Sequence, residues 1–342
     1  MSHFQFNKYS SIENTYQTPY LNKVREHVQN TMMWDVTEKV HGANCCMVTD
    51  GVDVVFTKRT APVAAEEKFF NYQDVLAKNK ARIIQAFNYI KEGILEETPI
   101  DCVQFYGELF GGYYPHPNVP RDSTYSAVQK GVYYAPHQEF YGFDIAIVYA
   151  DKVRDWLDPE SVSLVYKEND IFYAKSLFRG TLEECLNFPN AFQSHIPQWL
   201  GLPDIDDNMC EGVVIKPMIP QFFPNGERII LKNKNEKFAE KKGSKKHKEI
   251  KDVPEEVQRI SSMVFEYITD NRLNNIISHE GEFDMPKEFG KCIKLLSQDV
   301  LEDFLKDHEA EWNSLEKSNR KMVTKMMTDQ SKKLIQEHYG IC

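Results

Sequence analysis

Between residues 32 and 58 three short segments rich in β-branched and apolar residues follow one another, "MMWDVTE", "NCCMVTD" and "VDVVFTK", with "HGA" and "DG" as turn signals between them. The pattern predicts three strands of a β-meander. From Ala64 to Lys91 the apolar residues recur at spacings of three and four, which predicts one or two amphipathic helices. Strand-like runs return in "IDCVQFYGEL", "FYGFDIAIVY", "EGVVIKP" and "RIILKNK", and between Gly111 and Pro136 lies a loop rich in Gly, Pro and Tyr that is long enough for a functional surface. Beyond Pro254 the strand signals stop, and helical spacing with few breakers runs to the end. No internal repeat is visible. The expected fold class is α+β: a mixed, mainly antiparallel domain over residues 1–250, then a small all-helical domain over residues 251–342.

Composition narrows the class. A chain of 342 residues is long enough for two domains with a core each. No apolar run reaches the roughly 18 residues of a membrane span, and the polar, aromatic start "MSHFQFNKYSSIENTYQ" is unlike a signal peptide, so a cytoplasmic protein is expected, in the host cytoplasm if the chain is viral. Seven cysteines without a C-x-x-C pair argue against a disulfide framework and a cysteine zinc site. A net charge of −10 argues against a protein coated all round for nucleic acid, but ten basic residues fall between Arg228 and Lys251, a linker that reads either as a solvated tether or as a phosphate contact with a duplex end.

The segment "TEKVHGANCCMV", residues 37–48, sets polar residues into an otherwise buried-looking run. In a strand Lys39 and His41 share one face, Glu38 and Val40 the other, and Gly42 lets the backbone turn and approach something closely. Strand lysines are usually solvated, and taken singly Arg59, Glu108 and Glu211 read as a surface ion pair and turn caps. Order and spacing change that reading: K-x-x-G-x-N from Lys39, an arginine about 20 residues on, Glu108 in "YGEL", "FD" at Phe143 and Asp144, E-G-x-x-x-K from Glu211, and K-x-K at Lys232 and Lys234.

This ordered set resembles the covalent nucleotidyltransferases, the superfamily of DNA ligases, RNA ligases and capping enzymes. "KVHGAN", with His41 and Asn44, resembles the phage-type RNA ligase 2 family in particular, because DNA ligases and capping enzymes usually read lysine-x-aspartate-glycine. The likeness runs through "KYSSIEN", "KRTAP", "YGELFGG", "FYGFDI", "EGVVIKP", "KNEKFAEKK", "NRLNNIIS" and "EFGK". It implies an ATP-grasp-like nucleotidyltransferase domain and a ligase that uses ATP with Mg²⁺, or Mn²⁺ as a substitute. Lys39 would be the nucleophile that forms lysyl-AMP, and His41 would sit near the departing β- and γ-phosphates. Phe143 would stack on adenine, and Glu38 would lie beside the base through its backbone. Glu108 would bind ribose hydroxyls, Asn44 and Arg59 the ribose or substrate phosphates, and Glu211 the metal ion. Lys232 and Lys234 would stabilise charge on the α-phosphate. Asp144 reads as either a direct participant or a supporting carboxylate. An unperturbed lysine, with a pKa of ~10.4, is neutral only about once in a few thousand molecules at pH 7, so its neighbours must help it shed a proton. Ala43, where the family often carries threonine, and Thr37, where an arginine can precede the motif, are departures.

AMP would then pass from Lys39 to a 5′-phosphate, and a 3′-hydroxyl would displace it. The implied partner is nicked double-stranded RNA or another RNA-containing duplex, engaged by a monomer with help from the helical domain; Arg272, with Asn271, Asn274 and Asn275, offers a local face, or else "NRLNNIIS" merely packs a helix. The rival readings are a DNA or mixed-nick ligase and a catalytically idle RNA-binding protein. A P-loop enzyme lacks its G-x-x-x-x-G-K-[ST] motif.

Overall fold

The computed structural model describes residues 6–64, 66–93, 99–240 and 253–341. The chain divides into two compact units, Met1–Asn235 and Glu236–Cys342. The fold is α+β. Among the described residues the first unit holds ten strands: β1 Glu13–Asn14, β2 Trp34–Lys39, β3 Ala43–Thr49, β4 Val54–Lys58, β5 Ile100–Gly111, β6 Gln138–Tyr149, β7 Arg154–Trp156, β8 Ser176–Gly180, β9 Gly212–Pro217 and β10 Leu231–Lys234. Its helices are α1 Thr18–His27, α2 Tyr72–Gly93, α3 Pro159–Glu168, α4 Leu182–Leu186 and α5 Ile196–Trp199. The strands form two five-stranded sheets, in the orders β1-β10-β9-β2-β8 and β4-β3-β5-β6-β7. All pairings are antiparallel except β1 with β10.

The three strands of the expected meander do not form one sheet. β3 and β4 pair as a hairpin, but β2 lies in the other sheet between β8 and β9. "HGA" is therefore a crossing between sheets, and Gly42 makes it passable: a Cβ there would stand 2.2 Å from the Leu109 carbonyl oxygen. β3 is buried along its whole length because both of its faces meet other layers. Ala43, Cys45 and Met47 join the core under α2 and α3, while Cys46 and Val48 face a second cluster with Tyr9, Tyr106 and Ile230.

The helix expected from Ala64 starts only at Tyr72. Before it, the Glu67 carboxylate accepts from Lys58 Nζ at 2.5 Å and from the Ala64 N–H, which commits that stretch to a turn. α2 then buries Val75, Ile83, Phe87 and Ile90 at helical spacing, each large apolar side chain adding roughly 1.5–3 kcal/mol. The six described cysteines are buried and unbridged.

Among the described residues the second unit is all-helical, with α6 Glu255–Phe265, α7 Asp270–Glu280, α8 Phe289–Ser314 and α9 Lys317–Tyr339 around a core that includes Val257, Leu273, Leu296, Phe304, Val323 and Ile335. Among the described residues no helix is long and apolar enough to cross a membrane. Of the expected basic run, Lys241, Lys242, Lys245, Lys246, Lys248 and Lys251 lie outside the described residues. Arg228 does not belong to a solvated run: it is 5% exposed, donates to Asp144 at 2.7 Å and stacks 3.9 Å above Trp156.

Candidate active site

Antiparallel register aligns Lys39 of β2 with Gly212 of β9, and Gly212 with Lys234 of β10. Residues opposite one another share a face, so two lysines flank a position with no side chain. Gly212 has φ +143°, and a Cβ there would meet the Asn233 carbonyl oxygen at 2.2 Å. One residue earlier, the buried Glu211 carboxylate bridges the lysines, with Lys39 Nζ 2.8 Å from Oε2 and Lys234 Nζ 3.1 Å from Oε1. His41 Nδ1 lies 3.6 Å from the same Oε2. Burial opposes charge on Glu211, but Lys39, Lys234 and His41 together outweigh it and hold the carboxyl well below the usual range. Lys232, two residues before Lys234, lies on the same face of β10.

The other sheet supplies the facing wall. Asn44 of β3, Glu108 of β5 and Tyr141 of β6 stand in register in one row. Burial pushes the Glu108 carboxyl up to about 7; Lys39 and Arg59 pull it down, Glu211 pushes it up, and the Gly42 N–H favours its charged form. Tyr141 reaches between the sheets to donate to the Glu38 carbonyl at 3.2 Å. Phe143 is half-buried on β6, with the Tyr9 ring edge-on at 5.1 Å. Behind it Asp144 is buried and takes hydrogen bonds from Tyr9 and Arg228, with Lys216 Nζ 3.5 Å away and 2.6 Å from the Phe143 carbonyl oxygen. Burial opposes its charge, but Arg228 and Lys216 keep its carboxyl below the ordinary value. The geometry gives Asp144 a supporting role beneath Phe143.

Thus Lys39, His41, Glu211 and Lys234 meet at one carboxylate, and Glu108, with Arg59 in electrostatic range, borders them. The Glu38 side chain has partners of its own: Ser194 Oγ donates to Oε1 at 2.6 Å and the His195 N–H to Oε2 at 3.0 Å. Arg272 is a correction. It is 2% exposed on α7 and clamped by Asp299 and Asp303 of α8, so its guanidinium is spent inside the helical unit. Asn271 and Asn275 likewise hold the segment 236–240, through the Ala239 carbonyl at 2.9 Å and Glu240 Oε1 at 2.6 Å. Tyr134 was invisible in the sequence; its hydroxyl accepts the His41 N–H at 2.9 Å from within the Gly, Pro and Tyr-rich loop.

A family model described as RNA ligase matches residues 33–234, more than half of the chain and every strand that bears these side chains. The chain belongs to the RNA ligase family. A second model, T4 RNA ligase 2 C-terminal, matches residues 251–333 and places this enzyme with the RNA ligase 2 type. As an RNA ligase it joins RNA. Among its relatives, the mitochondrial RNA-editing ligase 2 of Trypanosoma brucei brucei is 28% identical over 387 residues, covering 96% of this chain and 90% of the relative. The mitochondrial RNA-editing ligase 1 of the same organism is 26% identical over 362 residues, covering 90% of this chain and 77% of the relative. A Naegleria gruberi RNA ligase solved with ATP and manganese aligns with a TM-score of 0.43 at 14% identity, over 68% of this chain and 56% of that one. The chain thus spans little more than half the length of that solved ligase.

Proposed function

We propose that this RNA ligase uses ATP to seal 3′-OH/5′-phosphate nicks in duplex RNA, acting as a monomer through a lysyl-AMP intermediate on Lys39. The observation that carries the reading is the alignment of Lys39 and Lys234 across Gly212 with Glu211 between them. In the first step Lys39 Nζ forms a bond to the α-phosphorus, the α–β phosphoanhydride bond breaks, and pyrophosphate leaves. Lys232 and Lys234 offer fixed positive charge on the same strand face, where charge builds on the α-phosphate oxygens. His41 is suited to the departing phosphates, and Phe143 offers its exposed part as a stacking surface for adenine, with Glu38 alongside. Asn44, Glu108 and Arg59 border the space left for ribose and RNA phosphate.

A divalent ion fits this donor set only together with substrate. The described residues hold no group of three His, Cys, Asp or Glu that could cage a metal, and Mg²⁺ commonly sits on one or two carboxylates with waters and phosphate oxygens. Glu211, with Glu108 nearby, would provide those carboxylates. The ion would neutralise phosphate charge; Lys39 still has to lose its proton and its partner Glu211 before it reacts. We assign nucleotide chemistry to residues 1–250 and nick engagement to residues 251–342.

Incubation with α-labelled ATP and Mg²⁺ is expected to label the protein, and Lys39→Ala to abolish the label. An unlabelled wild type, or a labelled Lys39→Ala, rejects the mechanism. Parallel assays on all-RNA, mixed and all-DNA nicks test the substrate. Efficient all-DNA sealing with poor RNA sealing rejects duplex RNA.

A further inference from the structure

β2 ends at Lys39, so the residues that follow leave the ladder while the chain crosses between sheets. Their backbone groups need partners from elsewhere. The His41 N–H finds the hydroxyl of Tyr134, which is 2% exposed. On the other side of Lys39, the Glu38 carboxylate is held by Ser194 and the His195 N–H. Both supports lead to Asn208. Its side chain grips the backbone of Tyr133 at two points, Oδ1 accepting from the N–H at 2.7 Å and Nδ2 donating to the carbonyl at 2.6 Å. Its own carbonyl accepts the Ser194 N–H at 2.9 Å. A bridge between Gln193 and Met209 closes the loop that carries Ser194 and Asn208, three residues before Glu211. Asn208 is 3% exposed, and all its named bonds serve this network.

We infer that Asn208 is a positioning residue for Lys39: through Tyr134 and Ser194 it fixes His41 and Glu38, which lie on either side of the nucleophile, without touching the lysine side chain itself. An attacking nitrogen must be held to a fraction of an ångström, and a shift of about 1 Å costs on the order of a hundredfold in rate. A loosened strand end would misplace Lys39 far more than it would weaken nucleotide contacts made from β5, β6 and β10. The inference rests on the lysyl-AMP reading, and its test separates the two.

The full chain is compared as wild type, Asn208→Ala and Asn208→Asp, with two readouts. The first is the rate of adduct formation with α-labelled ATP. The second is sealing of a nick whose 5′ end already carries AMP, a reaction that does not need Lys39 as nucleophile. Failure of the wild type to form an adduct rejects the lysyl-AMP reading and not the Asn208 network. With a labelled wild type, Asn208→Ala is expected to slow the adduct about 10- to 100-fold while KM for ATP and sealing of the pre-adenylylated nick stay within about threefold. Asn208→Asp keeps the acceptor for the Tyr133 N–H and is expected to recover part of the rate. An adduct rate within twofold of wild type in Asn208→Ala overturns the inference. If both activities fall together, Tyr134→Phe decides, because it removes only the hydroxyl that receives the His41 N–H. A selective loss of adduct formation in Tyr134→Phe supports the assignment, and an unchanged rate or a parallel loss of both activities overturns it.

Discussion

Glu108 shows how a single buried carboxyl makes the pocket sensitive to pH. Its ordinary value of 4.5 is raised to about 7 in the fold, first by burial. Between those two values the unfolded chain binds fewer protons at this group than the native one, so the contribution of Glu108 to stability is fully present below 4.5 and is lost as pH rises through 7. Glu108→Gln removes the titration. The difference in unfolding free energy between pH 5 and pH 8 is expected to shrink by on the order of 1–3 kcal/mol in that variant, read by urea denaturation at both pH values. An unchanged pH dependence would assign the titration elsewhere. At this scale the sequence displayed the charged residues in order but not their meeting. Lys39 and Lys234 are 195 positions apart, and only strand register brings them to either side of Gly212. Tyr134 and Asn208 were silent because they act through backbone groups, which no residue pattern encodes.

Among elements, the helical unit is tied internally by Arg272. Burial of its guanidinium is offset by Asp299, Glu240 and Asp303, and the net effect raises its pKa. Arg272→Ala would leave those carboxylates facing one another around a cavity, and loss of about 3–5 kcal/mol is expected for the transition that unfolds the helices, measured by circular dichroism in urea. A loss below 1 kcal/mol would mean the acids find water instead. The sequence showed α7 as a helix but gave no sign that its arginine points inward, because a charged residue in an amphipathic pattern normally marks the solvent side. Strand β5 and strand β6 were legible from their long apolar runs. The sheet change between β2 and β3 was not, since a glycine turn looks the same whether the chain doubles back or crosses over.

Across the whole molecule an excess of acid, net −10, leaves the location of RNA contact to local charge. α9 carries one exposed basic stripe. Lys317, Lys321, Lys325 and Lys332 are exposed and spaced at four, four and seven residues, which puts them on one face. At 1.5 Å per residue the stripe runs about 20 Å along the helix, a span suited to a row of backbone phosphates. Replacing Lys321 and Lys325 together by Glu is expected to weaken binding of nicked RNA and to reduce the slope of log affinity against log salt by about two, with lysyl-AMP formation unchanged. Equal slopes for variant and wild type would remove α9 from the RNA-binding surface.

Glu211 gives the pocket an anion of its own. Lys39, His41 and Lys234 all turn toward one carboxylate, which offers them the charge and the oxygens that a phosphate would. On the proposed mechanism a nucleotide would have to win the lysines from an incumbent, and its entry would be an exchange of anions rather than a simple capture. Such a site rewards a polyphosphate, which can offer several oxygens at once, over a lone phosphate or a bare RNA end. It would also keep Lys39 occupied until the right competitor arrives, so that the same ion pairs would act as scaffold, as selectivity filter and as safety catch.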